Sequence, residues 1–228
     1  MKQSVLWVMV VFCFHWVVVD GVEINEMYQS QQSPVIWHMS RQAPLVALTF
    51  DDGPTPEITP KILQVLLEKN VSATFFLVGH MVLRHPMITR QIYNDGHHIA
   101  NHTWAHYRLD ELSKDQIQYQ IHATSDVLDS LGIHMSPFFR PPGGRFNQWV
   151  LDAIKDQGLT MVMWDVNAGD YVRSSGKNSP QEVIVRRVMR TLQPGSIILL
   201  HNSQSTLDAL PNLIDSIHDA GYIIGHIE

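Results

Sequence analysis

The chain has 228 residues and a formal charge of −6, from 16 Lys and Arg against 22 Asp and Glu. That length suits one domain with a sizeable core. The acidic balance excludes a broadly basic nucleic-acid-binding surface.

Residues 1–21, MKQSVLWVMVVFCFHWVVVDG, carry a lysine near the start and then run apolar from about Val5 to Val19, interrupted by His15. The run is shorter than the roughly 20 residues a membrane span needs. It reads as a secretory signal cleaved after Gly21, or as an uncleaved N-terminal anchor that confines membrane association to residues 4–19. Either reading places the protein outside the cytoplasm, as a secreted, periplasmic or cell-envelope protein. Cys13, the single cysteine, lies in this segment, so the cleaved chain has no disulfide, thiol nucleophile or cysteine-held zinc. Residues 22–42 are polar and read as a lead-in linker, and residues 43–228 as the folded domain.

From Leu45 onward strand and helix patterns alternate. Leu45–Phe50 reads as a strand, Glu57–Lys69 as a helix, Ala73–Val78 as a strand and Met81–Asn94 as a helix. His98–Asn101 is a short strand, and Ser113 caps a helix that runs to Leu131 before Gly132. Phe138 and Phe139 lead into a Pro-Gly turn, followed by a helix over Asn147–Gln157 and a strand over Thr160–Asp165. A helix capped by Ser179 runs to Leu192, then a strand over Ser196–Leu200, a helix over Leu207–Ala220 and a last strand over Tyr222–Ile227. This alternation predicts an α/β fold with about seven parallel strands and helices outside. The pattern alone does not separate a barrel from an open sheet.

Titratable residues gather after the strands. Asp51 and Asp52 follow the first, His102 and His106 the third, Arg140 precedes a Gly-rich turn, Asp165 and Asp170 follow another strand, and His201 the penultimate one. In parallel sheets and barrels those C-terminal strand ends carry the chemistry. Thirteen histidines justify a search for metal spacing. His102 and His106, four apart, fall on one side of a helical turn and can share one ion, with Asp51 or Asp52 as the oxygen ligand. Two His and one carboxylate with an open position is the layout of a catalytic divalent cation. The doublet can then divide, one acid on the metal and one beside its water as general base. Against this stands a solvated Asp-Asp-Gly turn.

Thr49-Phe-Asp-Asp-Gly53, His102-Thr-x-x-His106, Arg140-Pro-Pro-Gly-Gly144, Asp165-x-x-x-x-Asp170-Tyr171 and Leu199-Leu-His201 together resemble the polysaccharide deacetylases, the NodB-homology enzymes of carbohydrate esterase family 4. The resemblance covers roughly Leu45 to Glu228 and implies a distorted (β/α) barrel. It implies Asp51 as general base, Asp52, His102 and His106 as ligands of one divalent metal, Zn²⁺ or alternatively Co²⁺, and Arg140 as the partner orienting the base. It further implies His201 as general acid held charged by Asp170, with Asp165 the competing candidate for that support. Leu199 resembles the wall for the acetyl methyl, Thr103 the residue that steadies the histidine loop, and Gly143 supplies a backbone N–H for the oxyanion. Two departures stand out. Gly143 replaces the family's frequent aromatic residue and leaves the floor of the substrate groove more open, and Tyr171 replaces its tryptophan, a milder change.

The implied function is N-deacetylation of N-acetylglucosamine units in an extracytoplasmic glycan, by a monomer with no nucleic-acid partner. The same site suits an O-acetyl esterase or a sugar deformylase, and the third reading is a glycan-binding protein without turnover. Elsewhere, His97 and His98 read as strand-entry residues and Trp164 as core, and Trp104 suits either sugar or packing. Asn70-Val-Ser72 and Asn101-His-Thr103 match the glycosylation pattern without needing that reading. Arg186, Arg187 and Arg190 read as the solvated face of a helix.

Overall fold

A computed structural model describes residues 35–171 and 180–227. The expected signal or anchor over 1–21, most of the lead-in and the Ser179 cap lie outside the described residues. Among the described residues no helix is long and apolar enough to cross a membrane.

Among the described residues nine strands form one sheet: β1 (Val35–Ile36), β2 (Leu45–Gly53), β3 (Thr74–Leu77), β4 (His98–Asn101), β5 (Phe138–Phe139), β6 (Thr160–Val162), β7 (Val166–Asn167), β8 (Ile197–His201) and β9 (Ile223–Gly225). Every pairing is parallel. The order is β1-β6-β5-β4-β3-β2-β8-β7, with β9 added to β2. The count exceeds seven because β1, β5 and β7 are two-residue strands, too short to leave a periodic signal in the sequence.

Strand β2 shows how the sheet curls. Val46, Leu48 and Phe50 face an outer layer with Ile62, Leu63 and Leu66 of α1 (Thr59–Glu68) and Leu210, Leu213 and Ile214 of α7 (Gln204–Asp219). Ala47 faces the other way, into a smaller cluster with Phe76, Ala100, Val162 and Ile197 from β3, β4, β6 and β8. Five strands that share one inner cluster must wrap around it, as in a barrel. The path ends at β1 and β7, which are not paired with each other, so the sheet is a curled half-barrel with helices around it. Both faces of β2 are buried, as its near-continuous apolar run requires.

Several boundaries moved for identifiable reasons. The helix expected over Met81–Asn94 is two, α2 (Gly79–Arg84) and α3 (Pro86–Asn94), because Pro86 disfavours helical backbone at His85, whose φ/ψ is −128/53. The strand expected over Thr160–Asp165 ends at Val162, and after three intervening residues β7 joins β8 at the opposite end of the sheet order. The lead-in is not linker throughout: Val35 and Ile36 pair with β6, and Met39 enters the inner cluster. Ser113 caps α4 (Lys114–Ser130) in a capping box with Gln116, and Asn147 caps α5 (Gln148–Asp156). Helix α6 spans Pro180–Thr191.

Candidate active site

The site lies at the C-terminal end of β2, where alternation turns Ala47, Thr49 and Asp51 inward. Asp51 is 4% exposed. Strict alternation would turn Asp52 outward, away from its neighbour. A register shift between Asp51 and Gly53 prevents this: the pairing with β3 skips Asp52, whose φ is +73. Such a bulge re-aims one side chain. Asp52 Oδ1 thereby lies 3.0 Å from His106 Nε2 and 3.4 Å from His102 Nε2, while Asp51 Oδ2 is 3.8 Å from His102 Nε2. Gly53 is not a free turn glycine, since a Cβ there would meet Asn202 Nδ2 at 2.6 Å. Asn202 donates from its backbone and its side chain to the Asp51 carbonyl, both at 3.1 Å.

The two histidines come together without the helical turn their spacing suggested. Residues 102–106 are irregular, and Thr103 and His106 have φ of +69 and +58. Side chains hold this backbone. Asn101 Oδ1 accepts from Thr103 N at 2.9 Å, Thr103 Oγ1 accepts from His106 N at 3.1 Å, and Gln120 Oε1 on α4 accepts from Ala105 N at 2.8 Å. Thr103, expected to steady the histidine loop, makes one of these bonds, whereas Asn101 and Gln120 carry no sequence signal separable from ordinary core polarity.

His102 Nδ1 lies 2.7 Å from the Arg140 carbonyl, which can only accept. The proton therefore sits on Nδ1, and the Nε2 lone pair faces Asp52. Asp52 Oδ1 is buried yet has no hydrogen bond of acceptable geometry. Ligand atoms of Asp52, His102 and His106 all lie within 4.8 Å of one another. Two imidazole nitrogens and a carboxylate oxygen converging this closely are a donor set a cation satisfies, so these residues fit a divalent metal. Burial pushes the Asp52 carboxyl up, but the two imidazoles outweigh it and hold the acid below the usual carboxylate range. The His106 imidazole is drawn up by its contact with Asp52.

Arg140 is fully buried under this pocket. Its Nη1 donates to Asp51 Oδ1 at 2.7 Å and to Thr49 Oγ1 at 2.8 Å. Nε and Nη2 donate to the carbonyls of Val162 and Met163 at 3.0 and 2.9 Å. Phe76 and Trp164 lie against the guanidinium, with ring centres 4.0 and 5.6 Å away. Burial lowers the Arg140 pKa, and Asp51 opposes that shift. Arg140→Ala strands a buried carboxylate and two carbonyls. It is expected to destabilise the fold by about 3–5 kcal/mol, the range for breaking one side of a buried ion pair, as measured by denaturant unfolding.

His201 ends β8 in register with Asp51, and Leu199 is in register with Thr49, one layer deeper. The support for His201 is Asp170. Its Oδ1 is 2.8 Å from His201 Nδ1, and its Oδ2 accepts from His201 N at 2.7 Å and from Thr206 Oγ1. Asp165 is engaged elsewhere, with Arg41 at 2.8 Å and Ile197 N at 2.8 Å. Burial opposes the charge on both partners. The Asp170 hydrogen bond, with Asp51 and Asp52 nearby, still raises the His201 pKa, and the same contact holds Asp170 below the usual carboxylate range. Tyr171 is exposed and meets the His201 ring edge-on at 5.4 Å.

Gly143 lies exposed on the turn after Arg140, where a Cβ would meet nothing within 4 Å. Trp104 packs close against Gly79, and Trp164 is partly buried. His97 and His98 sit at the entry of β4, at the opposite end of that strand from His102. Burial brings His97 down to about 4, and His98 stacks on His226 at 3.6 Å. Arg187 is not on a merely solvated face, because its Nη1 donates to the carbonyls of Ala168 and Gly169, each at 3.0 Å.

A family model described as polysaccharide deacetylase matches residues 38–162. A peptidoglycan-N-acetylglucosamine deacetylase of Bacillus cereus is 38% identical over 181 residues, covering 77% of this chain and 64% of its own. The chain thus spans less than two thirds of that relative. A chitooligosaccharide deacetylase of Sinorhizobium fredii is 34% identical, covering 80% of this chain and 89% of its own. Among solved structures, a peptidoglycan N-acetylglucosamine deacetylase superposes with TM-score 0.80 at 33% identity, over 88% of this chain and 94% of its own. A CE4 family pseudoenzyme from Bacillus anthracis superposes with TM-score 0.79 at 31% identity, over 86% and 68%.

Proposed function

Because the chain belongs to the polysaccharide deacetylase family, we propose that it is a metal-dependent hydrolase removing N-acetyl groups from N-acetylglucosamine units of an extracytoplasmic glycan, peptidoglycan or chitin-like. A pseudoenzyme on the same fold means that the fold alone is no argument for turnover. The observation that carries the reading is side-chain chemistry: a buried carboxylate, a trio fit for a metal and a supported histidine meet where β2 and β8 end in register.

Asp52, His102 and His106 would hold a divalent cation, Zn²⁺ or Co²⁺, which would supply Lewis acidity and lower the pKa of a bound water. Asp51 is the base. Arg140 occupies its Oδ1 and leaves Oδ2 to take the water proton as the oxygen bonds to the acetyl carbon. The Gly143 N–H receives the developing oxyanion and Leu199 walls the methyl group. His201, its Nδ1 held by Asp170, gives the Nε2 proton to the amide nitrogen as the C–N bond breaks, leaving acetate and a free amine.

Purified protein with added Zn²⁺ or Co²⁺ is expected to release acetate from peptidoglycan fragments or chitin oligomers. A chelator should abolish release and metal should restore it. A protein that binds metal and releases nothing across that panel refutes the reading. The same groups would serve an ester, whose leaving group needs less help, so acetylated xylan belongs in the panel. Release from esters alone would favour the O-acetyl esterase.

A further inference from the structure

We infer that Arg187, on α6, is a positioning residue for the proton donor: it clamps the loop that presents Asp170 to His201. The inference rests on the role proposed for His201.

Ala168 and Gly169 link β7 to Asp170, and both are buried. Their N–H groups are satisfied within the loop's own surroundings, Ala168 N by the Leu199 carbonyl at 3.1 Å and Gly169 N by Asn167 Oδ1 at 2.8 Å. Their carbonyls need partners too, because a buried carbonyl left bare is disfavoured. Arg187 Nη1 serves both, at 3.0 Å each. Gly169 is doubly required here. Its φ is +63, and a Cβ on it would lie 1.6 Å from Arg187 Nη1. The guanidinium thus fills the space a side chain would take, and the loop closes onto it. The next residue is Asp170, whose two oxygens reach His201 Nδ1, His201 N and Thr206. Arg186 and Arg190, on the same helix, are exposed.

A carboxylate that reaches a ring nitrogen at 2.8 Å does so only while its backbone is fixed. Removing the clamp frees two carbonyls to turn towards water, and Asp170 turns with them. The consequence falls on proton donation, which an amine leaving group needs and an activated ester does not.

The experiment compares Arg187→Ala, Arg187→Lys and Arg190→Ala, with metal content and thermal unfolding recorded for each. Arg187→Ala is expected to lower kcat for a chitin oligomer about 10–100-fold, at or below the low end of the roughly 10²–10⁴-fold that a general acid contributes, because the donor is misplaced and not removed. KM should stay within about twofold, and hydrolysis of 4-nitrophenyl acetate should fall by less than about threefold. Lys at 187 should recover part of the loss, since it returns a cationic donor without the guanidinium's planar fork. Arg190→Ala should match the unmutated protein. Equal losses on amide and ester, or no loss on amide, overturn the inference. A second readout needs no activity: amide hydrogen exchange at residues 168–170 and at His201 N should speed up in both Arg187 variants, less in Lys than in Ala. Unchanged exchange overturns the clamp. An unmutated protein that releases no acetate defeats the proposed function instead, and the exchange result still decides on Arg187.

Discussion

Asp51→Asn is expected to keep the metal and lower kcat about 10³-fold, while Asp52→Asn is expected to lose the metal. The two residues are neighbours of nearly equal size, so the contrast isolates their roles. Asparagine at 51 retains an oxygen for Arg140 Nη1, which reaches Asp51 Oδ1 at 2.7 Å, so the buried guanidinium stays paired. What disappears is the second oxygen's ability to take a proton, and general base catalysis contributes about 10²–10⁴-fold. Asparagine at 52 tolerates the left-handed backbone that aspartate adopts there, so the bulge should survive. It withdraws the anionic ligand, and metal affinity should fall by more than the roughly 10–100-fold typical of lost supporting partners. Metal content of the purified variants, with kcat at saturating metal, checks both halves. Equal metal loss in the two variants would sink the division of labour.

His201→Ala is expected to cost about 10²–10⁴-fold on an N-acetyl substrate and far less on an acetate ester with a good leaving group. An amine must be protonated as it leaves, and a phenolate need not be. The same histidine sets the direction of the pH dependence. Asp170 and the nearby Asp51 and Asp52 raise its folded-state pKa above the ordinary value near 6.5, against the opposing effect of burial. The donor is therefore loaded throughout the range below about 6.5, and activity falls as pH rises through the folded-state pKa. The stability contribution has the same sign: present below the unfolded value, lost as pH rises through the folded one. Asp170→Asn removes the largest raising contact, so the alkaline limb of the kcat profile should move to lower pH. A limb that stays in place would mean another group sets it.

The strand-helix alternation and the inward chemistry of β2, β4 and β8 were legible because each sits on a run with a clear period. The short strands were not. Two residues such as Val166 and Asn167 carry no period, and their place beside β8 is a tertiary fact. The site residues are legible as motifs, but the local geometry departs from the period of the sequence in two places. A bulge overrides plain alternation and keeps Asp52 on the same side as Asp51, and residues 102–106 are held by Asn101, Thr103 and Gln120, not by a helical turn. In both cases a side-chain hydrogen bond or a register shift overrides the period, and neither has a local sequence signature. Arg187 looked like solvent-facing charge because its partners, the carbonyls of Ala168 and Gly169, are backbone groups, the same in every residue.

Asp52, Thr103 and His106 are three of the four non-glycine residues with left-handed φ among the described residues. Such conformations are disfavoured by about 1–3 kcal/mol each, most clearly for a β-branched residue such as Thr103. Glycine at any of the three relaxes the backbone, and it deletes a metal-facing group or the hydroxyl that holds the histidine loop. Selection for thermal endurance alone would therefore reward the loss of turnover at this centre. A heat-hardened descendant of this chain would keep the barrel while shedding the groups proposed for its chemistry, a short evolutionary path from proposed catalyst to inert scaffold.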